Sequence, residues 1–192
     1  MASFLIISVC IAGCSSNASS AHTTPQPVPE NTISTVEPSE MALQLAEIPG
    51  IFTLKEKAER VASDVSQTAH NYGWIKGYTV SFQNINIDPL SAIVISQGIS
   101  VYPRANVTKL LPEMKAHYVN VANESISVDE LPDPGIGDYS QAFRITYKES
   151  NLKVYVIDFV KNDVYEQLSM QGTTTDYETL KNLGKVAVAK IK

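Results

Sequence analysis

The chain has 192 residues, 44% of them hydrophobic and 18% charged, proportions that suit one globular domain carrying extensions. A formal net charge of -5 with no cluster of Lys or Arg excludes a nucleic-acid partner, because neutralising phosphates needs gathered basic side chains. The two cysteines, Cys10 and Cys14, stand near the N-terminus with no further Cys or His pair in reach, so neither a metal site nor a useful disulfide follows.

Residues 4–12 are apolar except for Ser8. Such a run falls short of the roughly 20 residues that a membrane-crossing helix needs, and it suits the apolar centre of a signal peptide. It ends in Ile11-Ala12-Gly13-Cys14, an aliphatic residue, two small residues and a cysteine. This resembles the lipobox of prokaryotic lipoprotein signal peptides. The resemblance implies that residues 1–13 are removed, that Cys14 becomes an acylated N-terminus, and that the chain reaches the extracytoplasmic face of the cell membrane through lipid. The competing reading is an uncleaved, buried N-terminal strand. Met1-Ala2-Ser3 carries no basic residue, so the expected start lies a few residues upstream. Two acyl chains, at about 0.8 kcal/mol per buried methylene, anchor stably where one does not.

Residues 15–40 are mostly Ser, Thr, Pro, Asn and Glu, and bury too little apolar surface to offset chain entropy. The expectation is a disordered tether over 14–42 and a single domain over 43–192. Pro25, Pro27 and Pro29 stiffen part of that tether toward polyproline II. No Lys or Arg precedes Lys55, while Glu30, Glu37, Glu40 and Glu47 do, so an anionic lipid surface repels the leader and holds the domain off. Glycosylation-type sequons occur at Asn17, Asn106 and Asn123.

Within the domain, Pro49-Gly50 is a turn signal. The next stretch is read either as a helix capped at Thr53 or as a strand over Ile51–Lys57 followed by a helix from Ser63 to Gly73, and the second reading is preferred. Alternation predicts strands over Trp74–Phe82 and Ile93–Tyr102, the latter interrupted by Gln97, with Asn84–Pro89 as the hairpin connection. Val107, Leu110, Leu111, Met114, Tyr118 and Val121 recur at helical spacing, and Pro112 fits only if that helix starts near Thr108. A Pro/Gly-rich link over 131–138 precedes strands at Tyr139–Tyr147, Val154–Val160 and Val164–Met170, the last two joined by a tight Asn162-Asp163 turn. A closing helix follows a capping box at Thr175–Glu178, with Tyr177, Leu180, Gly184, Ala187, Val188 and Ile191 on its apolar face. Hairpins separated by helices give an α+β domain: an antiparallel sheet of about five to six strands with two to three helices packed against it. With "YGWIKGYTVSF", "QGISVYP" and "GDYSQAF", this order resembles the PsbP-like fold and secreted lipoproteins of methanogenic archaea. That resemblance implies fold and location, and no activity.

Signatures of chemistry are sparse. The sequence has no GxSxG elbow, GxGxxG, P-loop or HExxH, so no cofactor is expected. The acidic stretch 128–138 lacks the ligand order of a calcium loop and is read as a solvated loop. Asp158, in phase with Val154, Val156 and Val160, is expected to pair with Arg144 or a lysine, to face solvent, or to touch a ligand. His70 is read as a helix C-terminal cation and His117 as half-exposed beside its helix's apolar stripe. Tyr72, Trp74 and Tyr78 form a candidate ligand face, with core packing as the alternative. The polar candidates are Asp138, Asp158, His117 and Arg144. The expected function is a membrane-anchored cell-surface lipoprotein whose domain is a non-enzymatic binding or accessory module with an unidentified ligand or envelope partner. A small surface hydrolase using Asp138, Asp158 or His117, and a purely structural envelope protein, are the alternatives. Cys14→Ser is expected to move the protein from the membrane pellet to the supernatant on fractionation, and continued sedimentation of the variant with membranes would contradict the anchor.

Overall fold

Residues 34–84 and 92–192 are described by a computed structural model. The signal peptide, Cys14, the sequon at Asn17, most of the tether and the hairpin connection after Asn84 lie outside those residues. There are seven strands among the described residues, the inner ones built on alternating apolar and polar residues and the two edges richer in charge: β1 (Thr53–Arg60), β2 (Lys76–Asn84), β3 (Ile93–Val101), β4 (Ile126–Leu131), β5 (Tyr139–Tyr147), β6 (Leu152–Lys161) and β7 (Val164–Gly172). They form one antiparallel sheet in the order β1-β2-β3-β7-β6-β5-β4. Two meanders, β1-β2-β3 and β4-β5-β6-β7, therefore meet at the β3–β7 pairing.

The strand count exceeds the expected five to six. The addition is β4, which takes up Asp129 and Glu130 from the stretch read as an acidic loop. Asp129 lies directly across from Arg144 and pairs with it at 3.1 Å, while Glu130 meets Lys115 at 2.7 Å. These charges and those of β1 (Lys55, Glu56, Lys57, Glu59, Arg60) occupy the two edges, where charged side chains discourage pairing with further strands. The tight turn at Asn162-Asp163 is as expected, with Asn162 at φ 58°.

Among the helices, α1 (Pro38–Met41), α2 (Gln67–Asn71) and α3 (Arg104–Val107) are short, whereas α4 (Leu110–Val121) and α5 (Tyr177–Ala189) run for three turns or more. The cap of α2 is Ser66, whose hydroxyl accepts from Ala69 N, and not Ser63. Gly73 ends it at φ +77°, and the N–H groups of Gly73 and Trp74 return to the His70 and Ala69 carbonyls. Pro112 lies in the first turn of α4, where its missing N–H costs nothing. The cap of α5 is Asp176, one residue beyond the expected Thr175, and it accepts from Glu178 N and Thr179 N.

One face of the sheet buries Ile95, Ile99, Ile157, Phe159, Leu168 and Met170 under α5, which contributes Leu180, Leu183, Ala187 and Ile191. The rest of that face is covered by the chain entering the domain. Met41, Ala42 and Leu43 are almost completely buried there, so the tether boundary at 42 falls too late. Apolar residues embedded in a polar segment provide the reason: Val36, Met41 and Leu43 find the β2–β3 surface that α5 does not reach. Lys190 fastens this strap by donating to the Ala42 carbonyl at 2.8 Å and to Glu47 at 2.6 Å, and Lys76 meets Glu37 at 3.0 Å.

Beneath the strap sits a polar pair. Gln97 accepts from Leu43 N at 2.7 Å and donates to Glu166 Oε2 at 2.8 Å. Glu166 has no solvent exposure and its Oε1 has no partner. Burial pushes its pKa up to about 8, against the Gln97 hydrogen bond and the Lys190 charge, so the folded protein holds it as the neutral acid at pH 7. The unfolded chain releases that proton near 4.5. Stability from this group is thus full below pH 4.5 and falls by about 1.4 kcal/mol per unit as pH rises toward 8. Glu166→Gln is expected to flatten the decline of Tm between pH 5 and 9 and to leave the variant the more stable form at pH 9; parallel profiles for the two proteins would contradict the assignment.

Candidate functional site

The opposite face of the sheet is covered unevenly. Helices α3 and α4 cross from β3 to β4 and pack over β5, β6 and β7, burying Val107, Leu110, Leu111 and Tyr118 against Phe143, Val156, Val160 and Tyr165. At the border of this cover lies Asp158, fully buried. Its Oδ1 accepts from Tyr165 Oη at 2.8 Å and from Tyr118 Oη and Gln167 Nε2, each at 3.2 Å. Its Oδ2 accepts from Gln141 Nε2 at 3.1 Å. Burial raises the carboxyl's pKa and the four donors oppose that rise. Burial also lifts Tyr118 and Tyr165 well above the ordinary phenol range, followed by the nearby Asp158 charge.

This arrangement overturns the expected pairing of Asp158 with Arg144. The register sets Gln141 opposite Asp158 and Arg144 opposite Tyr155, so Arg144 emerges on the other face and takes Asp129 instead. Nor are the remaining candidates gathered. His117 is exposed on α4 in edge contact with Tyr118, with ring centroids 5.8 Å apart. Asp138 is exposed in the link before β5 and accepts from Asn162 N at 2.9 Å. Tyr72 and Trp74 pack in the cluster formed by α2, α3 and Tyr102, and Tyr72 Oη donates to Glu113 at 2.9 Å. Tyr78 lies across the sheet, in the core under the strap. The three aromatics share no surface. His70 is exposed and its Nε2 lies 2.9 Å from the Ala62 carbonyl. Among the described residues, no group of three or more His, Cys, Asp or Glu is placed to hold a metal.

Sequence reasoning missed the feature beside Asp158. Over β1, β2, β3 and the near side of β7, no helix among the described residues covers the sheet, and a cleft of about 500 Å³ opens there. Its floor is one cross-strand row, Ala58, Thr79, Gly98 and Gln167, flanked by Ser96 opposite Ser169. The same row continues under α4 through Asp158 and Gln141. Gln167 Nε2 donates to both Asp158 and Tyr118, which leaves Oε1 as the amide atom facing a partner. Above Gly98 the space is open, since a Cβ there would meet nothing within 4 Å. Glu56, Asp64 and Arg60 stand along the rim. The volume is within the ~300–1,000 Å³ of small-ligand sites, and hydroxyl, amide and charged groups converge on it. The signal in sequence was the small polar residues alternating with apolar ones in β2, β3 and β7. What joins them is strand order, which spans 69 residues between Gln97 and Glu166 alone.

Neither the family models nor the curated proteins contain a match to this sequence. Among solved structures, the fold is similar to the extracellular domain of PknH from Mycobacterium tuberculosis, with a TM-score of 0.63 at 10% identity over 86% of this chain and 97% of that one. The likeness is one of fold. No match supports the PsbP-like or archaeal resemblance.

Asp158→Ala would strand the Tyr118 and Tyr165 phenol donors at about 1–3 kcal/mol for each one left unsatisfied, and would leave Gln141 with the Leu111 carbonyl and Gln167 with Tyr118 Oη alone. The expected loss in urea unfolding is about 3 kcal/mol or more, and a loss below about 1 kcal/mol would contradict the role of Asp158 as the hub of this network.

Proposed function

We propose that this protein is an extracytoplasmic, lipid-anchored module that captures a small polar ligand, without chemistry, in the cleft over β1–β3 and β7. The observation that carries the reading is the cleft itself: an uncovered half of a sheet face, floored by small polar residues and closed on one side by the Asp158 network. Two further points support location. The Ile11–Cys14 sequence is that of a lipobox, and a protein of the same fold is an extracellular domain. Among the described residues no helix is long and apolar enough to cross a membrane, so under this reading acylated Cys14 carries the attachment.

The hydrolase reading rests on Asp138, Asp158 and His117, and these residues stand apart. Asp158 is sealed beneath α4, while the other two are exposed at separate places. A purely structural envelope role leaves the cleft without a use.

Scanning fluorimetry of the full chain in detergent micelles, against a panel of small polar compounds, tests the binding role. A ligand at one hundred times its Kd stabilises the folded state by about 2.7 kcal/mol. At least one compound is expected to raise Tm, and Gly98→Leu, whose side chain enters open space, is expected to abolish that rise while leaving the unliganded Tm within a few degrees. A Tm rise that survives Gly98→Leu would place the ligand elsewhere.

A further inference from the structure

We infer that the cleft is built for a zwitterionic ligand of short free-peptide length, its carboxylate held by Arg60 and its amine by Glu56. The inference rests on the cleft being a binding site, and it follows from how charge is distributed along its rim. Four ion pairs occur among the described residues, and neither Arg60 nor Glu56 belongs to one. Both lie on the cleft side of β1, because Glu56 is opposite Ser81 and Arg60 is opposite Gly77 in the register that sets Ala58 opposite Thr79.

Arg60 is positioned but unpaired. Its Nη1 donates to Ser100 Oγ at 3.4 Å and its Nη2 to the Asp64 carbonyl at 3.3 Å, long contacts that orient the guanidinium without neutralising it. Two further carboxylates line the cleft: Glu59, which alternates to the other side of β1 opposite Tyr78, and Asp64, which is already engaged. The Asp64 carboxylate accepts from Val61 N at 3.3 Å and from Ser63 Oγ at 3.1 Å, closing its own turn. The guanidinium fork is therefore available for a carboxylate, which it matches in a bidentate geometry.

Spacing then fixes the length of the ligand. Glu56 and Arg60 are four residues apart on a regular stretch of strand, so their Cα atoms are about 13 Å apart. An extended peptide of three residues spans about 10 Å, which leaves room for one ionic contact at each end. Between the two charges the floor is Ala58, with the Thr79 hydroxyl on the next strand and Ser96, Ser169 and Gln167 farther across the sheet, groups that can pair with polar atoms of a ligand. Gly98 and Ala58 let the chain approach the sheet closely.

Calorimetric titration of the full chain in micelles at low ionic strength, with triglycine, N-acetyl-triglycine and triglycinamide as probes, tests this. Triglycine is expected to bind at least about tenfold more tightly than either capped form. Arg60→Gln is expected to weaken triglycine to the level of triglycinamide and to leave triglycinamide unchanged; Glu56→Gln is expected to do the same relative to N-acetyl-triglycine. Equal binding of free and capped peptides, equal weakening of all three by either variant, or no binding of triglycine overturns the inference. A Gly98-dependent Tm rise with a neutral or singly charged compound, indifferent to Arg60 and Glu56, overturns it too while leaving the cleft as a binding site. Absence of any Gly98-dependent rise removes both.

Discussion

The structure depends on the antiparallel pairing of β3 with β7, from Val94 opposite Gln171 to Val101 opposite Val164. Without it the chain is two separate meanders, each with a bare edge and half a core. With it, the polar residues of both strands fall into register: Gly98 meets Gln167 on one face, while Gln97 and Glu166 lie one pair apart on the other. Successive residues point to opposite faces, so a one-residue slip of β7 against β3 would send Glu166 toward the cleft and Gln167 into the apolar core. The Gln97–Glu166 hydrogen bond under the strap requires this register, while the Gln167–Asp158 bond beneath α4 is set by the pairing of β7 with β6.

Coverage of the sheet explains where the cleft lies. Seven strands at about 4.8 Å spacing make a sheet about 29 Å wide. Helix α4, with 12 residues, is about 18 Å long and about 10 Å thick, so in any orientation it leaves part of a face bare. The other face has the same shortage and meets it with two elements, α5 and the entering strap. On the α4 face, α2 and α3 add cover only around Tyr102, Val107 and Tyr165, and the described residues leave the row Ala58, Thr79 and Gly98 open. Beneath α4 the strands carry Phe143, Val156 and Val160; beyond it they carry Thr79, Ser96, Gly98 and Ser169. Small hydroxyl-bearing side chains tolerate water where aromatic ones do not, so the bare half is stable as it stands and still able to exchange that water for a ligand.

Five of the seven strands were legible because their apolar residues alternate; charge-rich β1 was placed only as the preferred of two readings, at 51–57 and not 53–60, and the α+β class followed from these six. Strand β4 was not, since an edge position lets Asp129 and Glu130 replace the second half of the pattern. The ends of α2 and α5 shifted because neighbouring Ser, Thr and Asp residues offer equivalent caps, and only the chain's path selects Ser66 and Asp176. For the site, the phase of Asp158 with Val154, Val156 and Val160 singled it out but left pairing, solvent exposure and ligand contact open, and neither its full burial nor its partners could be read there. Arg144 looked adjacent in sequence order and proved to be on the wrong face by one residue of register. Glu166 carried the same signal, a charge in phase with Val164, Leu168 and Met170, and its burial beneath Gln97 and the strap could be seen only in the structure. The cleft is assembled from β1, β2, β3 and β7, and no local pattern contains that adjacency.

The two buried carboxyl groups divide the work of the seam by the number of donors each receives. Asp158 has four, enough to oppose the cost of a desolvated charge, and it in turn fixes Gln167 so that one defined amide atom faces the cleft. Glu166 has one, from Gln97, and burial leaves it neutral at pH 7. A neutral acid beneath the strap asks for no counter-ion, so Lys190 remains free to hold the Ala42 carbonyl and Glu47. The strap is therefore held by the hydrogen bond of Lys190 to the Ala42 carbonyl, its ion pair with Glu47 and the Gln97–Leu43 hydrogen bond, while the face that carries the cleft depends on none of them.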